Sequence, residues 1–213
     1  MRTDELIAAL AADTRPVSSA VPQRRLAAAA AFGASVALIL VLTWLKLRPD
    51  LGAAMGGGFF WVKAVYTAAL GAAAFRAAER LGRPGVSAGT AWRVLGVVAL
   101  AFIVAGAIQF AGLPADGRVP ALRGGSWTVC SLNILILGAP MTMAALFALR
   151  GLAPTRPARA GFAAGVFSGG VAATVYGLHC PEATVVFVSL WYTLGIAACG
   201  LLGALVGRWA LRW

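Results

Sequence analysis

The sequence predicts an all-α polytopic membrane protein, a bundle of six transmembrane helices with both termini cytoplasmic. Three observations carry this. First, 61% of the 213 residues are hydrophobic and only 12% are charged. That is more apolar surface than a soluble domain of this size can hide, so its solvent is mostly lipid. Second, six apolar runs stand out, at 26–45, 59–75, 92–112, 129–149, 160–178 and 184–207. Each is near the roughly 20 residues needed to cross a ~30 Å hydrocarbon core. Third, the basic residues fall unevenly between the runs. With the amino terminus inside, the inner segments hold Arg2, Arg15, Arg24 and Arg25; Arg76, Arg80, Arg83 and Arg93; Arg150, Arg156 and Arg159; Arg208 and Arg212. The outer loops hold only Lys46, Arg48, Arg118 and Arg123. This bias sets the orientation. The net charge of +11 is spread thinly between apolar runs and does not point to direct nucleic-acid binding.

Two units follow, a cytoplasmic amino-terminal segment at 1–25 and a six-helix transmembrane domain at 26–213. Within the first, residues 3–13 read as a short amphipathic helix. Thr3 is placed to cap it, Asp4 and Glu5 lie in the first turn where the helix dipole favours acids, and Leu6, Ile7 and Leu10 make one apolar stripe. Such a short helix is marginal alone in water, so it either docks in a groove on a cytoplasmic protein or is a solvated tail. Residues 17–23, bracketed by Pro16 and Pro22, read as a linker to the membrane. The first apolar run is long enough to span, which makes it a retained anchor rather than a cleaved signal peptide. The second run is the shortest and carries Lys63 in its first turns. In the fifth, Gly161, Gly165, Gly169, Ala173 and Gly177 recur every four residues, as do Gly195, Cys199, Gly203 and Gly207 in the sixth. These rows predict close packing of the last two helices. Trp61, Trp127, Trp191 and Tyr192 read as aromatic belts, and Gln109 as interfacial hydrogen-bonding glue.

The residues able to carry chemistry gather at the last outer hairpin, Gly177-Leu178-His179-Cys180-Pro181-Glu182. Cys130 opens the fourth run at the same outer face, so topology puts Cys130 and Cys180 at similar depth. In a bacterium that face is periplasmic, where thiols cycle between dithiol and disulfide. Cys199 lies up to ~28 Å of helical rise from Cys180 and occupies a slot in the small-residue row, so it reads as packing. One reading makes Cys130 and Cys180 a thiol pair with His179 as a third group, able to take a soft metal transiently. Lys63, Asn133 and Glu182 are candidates for tuning the thiols, and Glu182 is the one further ligand within reach. The other reading gives these residues no chemistry: His179 caps the fifth helix, Cys180 fits a turn before Pro181, and Lys63 snorkels to the outer interface.

Taken together, Thr3-Asp4-Glu5-Leu6-Ile7, six spans, Phe60-Trp61-Val62-Lys63, and the His179-Cys180-Pro181-Glu182 tip followed by Trp191-Tyr192-Thr193 resemble the NrsF family. These are bacterial inner-membrane anti-sigma factors, negative regulators of an F-type extracytoplasmic-function sigma factor. The resemblance covers essentially the whole chain. It implies that the amino-terminal segment, through Asp4, Glu5, Leu6, Ile7 and Leu10, holds the sigma factor at the membrane. It also implies that Cys130 and Cys180 respond to a heavy-metal ion such as chromate or cadmium, or to oxidative stress. It implies a regulator rather than an enzyme, and no cofactor. The rival readings are a membrane thiol oxidoreductase, which usually carries a Cys-x-x-Cys pair absent here, and a small metal transporter, which needs polar residues at mid-membrane. No phosphate-binding loop, dinucleotide fingerprint or nucleophile triad is present.

Overall fold

The computed structural model describes residues 2–12, 18 and 20–212, and every regular element among them is helical. Asp13, Arg15, Pro16 and Val17 lie outside the described residues. Helix α1 runs Thr3–Ala12 and buries none of its residues. Its cap is Arg2 rather than Thr3: the Arg2 backbone N–H donates to the Glu5 carboxylate at 3.1 Å, one half of a capping box. Helix α2, Val21–Leu40, begins inside the expected linker, with Pro22 in its first turn. Proline suits that position because the first-turn N–H groups have no helical partner anyway. The helix widens into a π turn at Val41–Leu45 and stops at Lys46, whose φ is 69°.

The remaining elements are α3 (Leu51–Gly56), α4 (Gly58–Leu81), α5 (Gly89–Gly112), α6 (Ala115–Arg123), α7 (Trp127–Arg150), α8 (Pro157–Tyr176), α9 (Val185–Phe187) and α10 (Thr193–Ala210). A second π turn, Val188–Tyr192, joins α9 to α10 without a break. The second apolar run, read as 59–75, is thus one part of a longer helix. Among the described residues five stretches are long and apolar enough to cross a membrane: Val21–Leu45, Gly58–Leu81, Gly89–Gly112, Ala115–Arg150 and Val185–Ala210. Helix α8 is the exception. It has 20 residues, about 30 Å of helix, but its glycines, Ser168 and Arg159 lower its apolarity. It is also the hub of the bundle, packed by α10, α4, α7 and α2, so most of its surface meets protein and needs no apolar side chains for lipid. Helix α5 is the opposite case. Only Ala91 and Gly106 are buried along it, and its outer face of Val97, Leu100 and Ile108 is exposed, as a helix bathed in lipid would be.

The α8–α10 seam follows the small-residue rows. A Cβ built on Gly161 would land on the Gly203 carbonyl, and one on Gly165 on the Cys199 carbonyl. The rows fail at their outer ends: Gly195 faces Ile134 of α7, and Gly177 faces Lys63. A further close approach, Gly71 of α4 against Gly170 of α8, has no row in the sequence to announce it. Because the obstacle at Gly165 is backbone, Gly165→Val should cost at least the ~1–3 kcal/mol typical of overpacking. Thermal unfolding in detergent measures this. Gly96→Val, where nothing lies within 4 Å, should leave the midpoint unchanged.

Candidate functional site

Helix α8 ends at Tyr176, and its carbonyl accepts both the His179 and Cys180 backbone N–H groups, at 2.9 and 3.1 Å. That turn rotates Cys180 inward. Pro181 follows, and the chain stays extended until the Thr184 hydroxyl accepts the Phe187 N–H and starts α9. Cys130 sits in the first turn of α7. Both cysteines are fully buried and free, and their thiols are hydrogen-bonded to each other, Cys130 donating. The tip therefore does not present its thiol outward, as a hairpin tip suggests. It folds it back onto the bundle.

A ring of polar groups closes around the pair. The Ser126 hydroxyl lies 3.8 Å from the Cys180 sulfur. Tyr176 touches Cys130 through its hydroxyl, and Asn133 Nδ2 donates to that same hydroxyl across the helices, at 3.5 Å. Tyr192 lies in the second π turn and is fully buried, with its hydroxyl at the Cys180 thiol and no well-formed hydrogen-bond partner. Lys63 is 2% exposed. Its ammonium donates to the carbonyls of Cys180 and Glu182 at 3.0 and 3.3 Å. Arg48, held by Asp50 at 2.7 Å, adds a third hydrogen bond, to the Cys180 carbonyl at 3.4 Å. The Cys130 hydrogen bond, with help from the Lys63 cation against the cost of burial, pulls the Cys180 thiol down to about 6. One thiol is thus poised as a thiolate at neutral pH beside a second that carries its proton. Such a pair can be oxidised to a disulfide or bind a soft metal.

The tip is tied to its neighbours by two further contacts. Glu182 Oε1 accepts from the Gly125 and Ser126 N–H groups at 2.7 and 3.1 Å and from the Ser126 hydroxyl at 3.1 Å. This is a carboxylate on the N-terminus of α7, where the helix dipole favours it. His179 Nδ1 donates to the Lys46 carbonyl at 2.7 Å, at the strained end of the first π turn. The thiol site thereby joins the ends of α2, α4, α7, α8 and α10.

The family described as negative regulator of sigma F, NrsF, matches residues 10–213. The chain belongs to the NrsF family. It is 55% identical to the anti-sigma-F factor NrsF of Caulobacter vibrioides and 38% identical to the probable anti-sigma-F factor NrsF of Azospira oryzae, each over the full length of both chains. No solved structure matches significantly.

In this NrsF chain the structure brings Cys130 and Cys180 together and places Lys63 and Asn133 beside them. The four-ligand set of Cys130, Cys180, His179 and Glu182 is not assembled: among the described residues no three His, Cys, Asp or Glu side chains are placed to hold a metal. His179 is turned to Lys46, and the Glu182 carboxylate is spent on α7. Lys63 does not snorkel, since it is buried with its charge on the tip. Tyr192 is not part of an aromatic belt but lines the thiol site. Cys199 lies in the seam, its thiol donating to the Ile134 carbonyl at 3.8 Å. Gln109 does act as glue, accepting the Val186 N–H at 2.9 Å. Arg48, Ser126 and Tyr176 went unnoticed in the sequence. Tyr176 alone carried a signal, lying one helical turn before His179. Asp4, Glu5, Leu6, Ile7 and Leu10 all lie on α1, exposed.

Proposed function

We propose that this chain is a membrane-embedded anti-sigma factor switched by its buried thiol pair. Six helices, α8 included, span the bacterial inner membrane with both termini cytoplasmic. Helix α1 holds an extracytoplasmic-function sigma factor there, and Cys130 and Cys180 sit on the periplasmic side as the sensor. The observation that carries this reading is the direct contact of two free thiols from separate helical hairpins, in a chain akin to anti-sigma-F factors. A peroxide or disulfide oxidant would take two electrons from the thiol–thiolate pair, with release of the one proton that Cys130 carries, leaving an S–S bond. A soft divalent metal would displace that same proton and take both sulfurs as thiolate ligands. Either event changes the sulfur atoms against which the Tyr176 and Tyr192 hydroxyls rest. The tight α8–α10 seam would then carry the shift to the inner face as a rigid unit. Full burial of both thiols favours a switch over a turnover oxidoreductase, whose thiol must meet each substrate.

The test is affinity purification of the full chain from solubilised membranes. An extracytoplasmic-function sigma factor should co-purify, and adding cadmium or diamide should release it. Purification without any sigma factor would overturn the proposal.

A further inference from the structure

Between α4 and α5, at the bundle end that carries both termini, lies a cavity of about 470 Å³ walled by Arg76, Arg80, Arg83 and Thr90, with Ala73 and Val94 at its upper edge. Arg76 and Arg80 share one face of α4, and Arg83 follows just past the end of that helix. Glu79 is 8% exposed and binds Arg76 at 3.2 Å and Arg83 at 2.8 Å. Arg80 is anchored separately, its Nε donating to the Ser87 carbonyl at 2.7 Å. A guanidinium has five N–H donors, so Arg76 and Arg80 keep others for a ligand. Glu79 thus acts as a pin that fans the guanidinium groups, and the face stays net positive.

A second cavity, about 360 Å³, continues the first along the same two helices. Its walls are apolar, among them Val62, Val65, Ala69 and Val98, with Phe102 stacked on Tyr66 at its floor. Ala69 lies one turn above Ala73, and Val98 one turn above Val94, so the two cavities abut on both walls. From Ala73 to Val62 is about 16 Å of helix, close to half of a ~30 Å hydrocarbon core.

The geometry points to a binding site for an anionic phospholipid in the α4–α5 groove, its phosphate on Arg76 and Arg80 and one acyl chain against Val65, Ala69 and Val98. A planar guanidinium matches phosphate in a bidentate fashion, and basic pockets between transmembrane helices on the cytoplasmic side bind anionic headgroups. The groove explains why the occupant is a lipid rather than a free anion. The inference rests on the membrane placement proposed above.

The full chain, purified in a neutral maltoside detergent, is titrated with phosphatidylglycerol, with phosphatidylcholine of the same chains, and with inorganic phosphate. Native mass spectrometry and thermal unfolding read the result. Phosphatidylglycerol should give retained adducts and raise the midpoint by several degrees, and the other two should not. The double variant R76Q/R80Q should lose most of that shift, while R212Q, which removes an exposed arginine elsewhere, should keep it. V94W fills the groove without touching a charge and should also lose the adduct. Equal retention of phosphatidylcholine, an equal shift from phosphate, or full retention in both R76Q/R80Q and V94W would overturn the site while leaving the membrane placement intact. A chain that stays monodisperse without detergent would overturn both.

Discussion

Replacing Cys130 and Cys180 with serine should abolish the response of a sigma-dependent reporter to cadmium or diamide while leaving basal repression in place. Serine keeps the size and hydrogen-bonding pattern of the buried pair but can neither form a disulfide nor capture a soft metal. Each single variant should fail as fully as the double, because the event needs both sulfurs and residues acting as a unit are not additive. Cys199→Ser is the control: its thiol lies against Ile134 and Gly138 of α7, away from the pair, and induction should survive. The scale is large, because moving the switch from mostly closed to mostly open takes ~5.5 kcal/mol of differential stabilisation, all of which is lost with either sulfur. The pH dependence follows from the same geometry. An ordinary thiol titrates near ~8.5, and Cys180 is pulled down to about 6. The thiolate interactions therefore stabilise the folded state most fully above the ordinary thiol pKa, and that contribution fades as pH falls through about 6. Thiolate ultraviolet absorbance of the Cys199→Ser chain should show this low midpoint. Lys63→Met should raise it, since the ammonium is the nearby cation favouring the charged form. A midpoint unmoved by Lys63→Met would remove Lys63 from the tuning role.

The apolar runs were legible because lipid imposes a length and a composition on whatever crosses it. Their ends were less so. Helix α4 runs on through Arg76 and Arg80 to Leu81 because an alanine-rich stretch stays helical after it leaves the apolar layer, which hydropathy does not see. The order of the runs puts Cys130 and Cys180 at the same end of the bundle, but it does not give their lateral contact, which depends on which helices are neighbours. The glycine rows supplied one such neighbour pair, α8 and α10. Gly71 is the single glycine of the apolar run 59–75 and gives no hint of the α4–α8 contact that puts Lys63 under the tip. His179 and Glu182 were grouped with Cys180 by sequence proximity. In a turn followed by extended backbone, nearby side chains diverge, and these two point to Lys46 and to the start of α7. Tyr192 looked like a belt residue because composition does not separate a tyrosine facing headgroups from one facing a thiol. The π turn that carries it has no sequence signature either.

Deleting residues 2–12 should leave the sigma-dependent reporter fully active without any inducer. Helix α1 has no buried residue, and its stripe of Leu6, Ile7 and Leu10 is 42%, 60% and 65% exposed. A ten-residue helix is marginal on its own in water, so an apolar stripe on one is explained by a partner that covers it. Burying each such side chain is worth ~1.5–3 kcal/mol, so the triple variant L6S/I7S/L10S should weaken the sigma complex by roughly a thousandfold or more. Asp4→Lys and Glu5→Lys should act more mildly, and mainly through the association rate, because exposed charges steer encounter more than they hold a complex. Helix α1 buries no residue, so the thermal midpoint of the purified chain should stay put and Cys180 should keep its low titration. That separation makes the experiment decisive. Loss of repression with an intact bundle assigns the grip to α1, whereas repression that survives the deletion moves it to the loops between α4 and α5 or between α7 and α8 at the same end of the bundle.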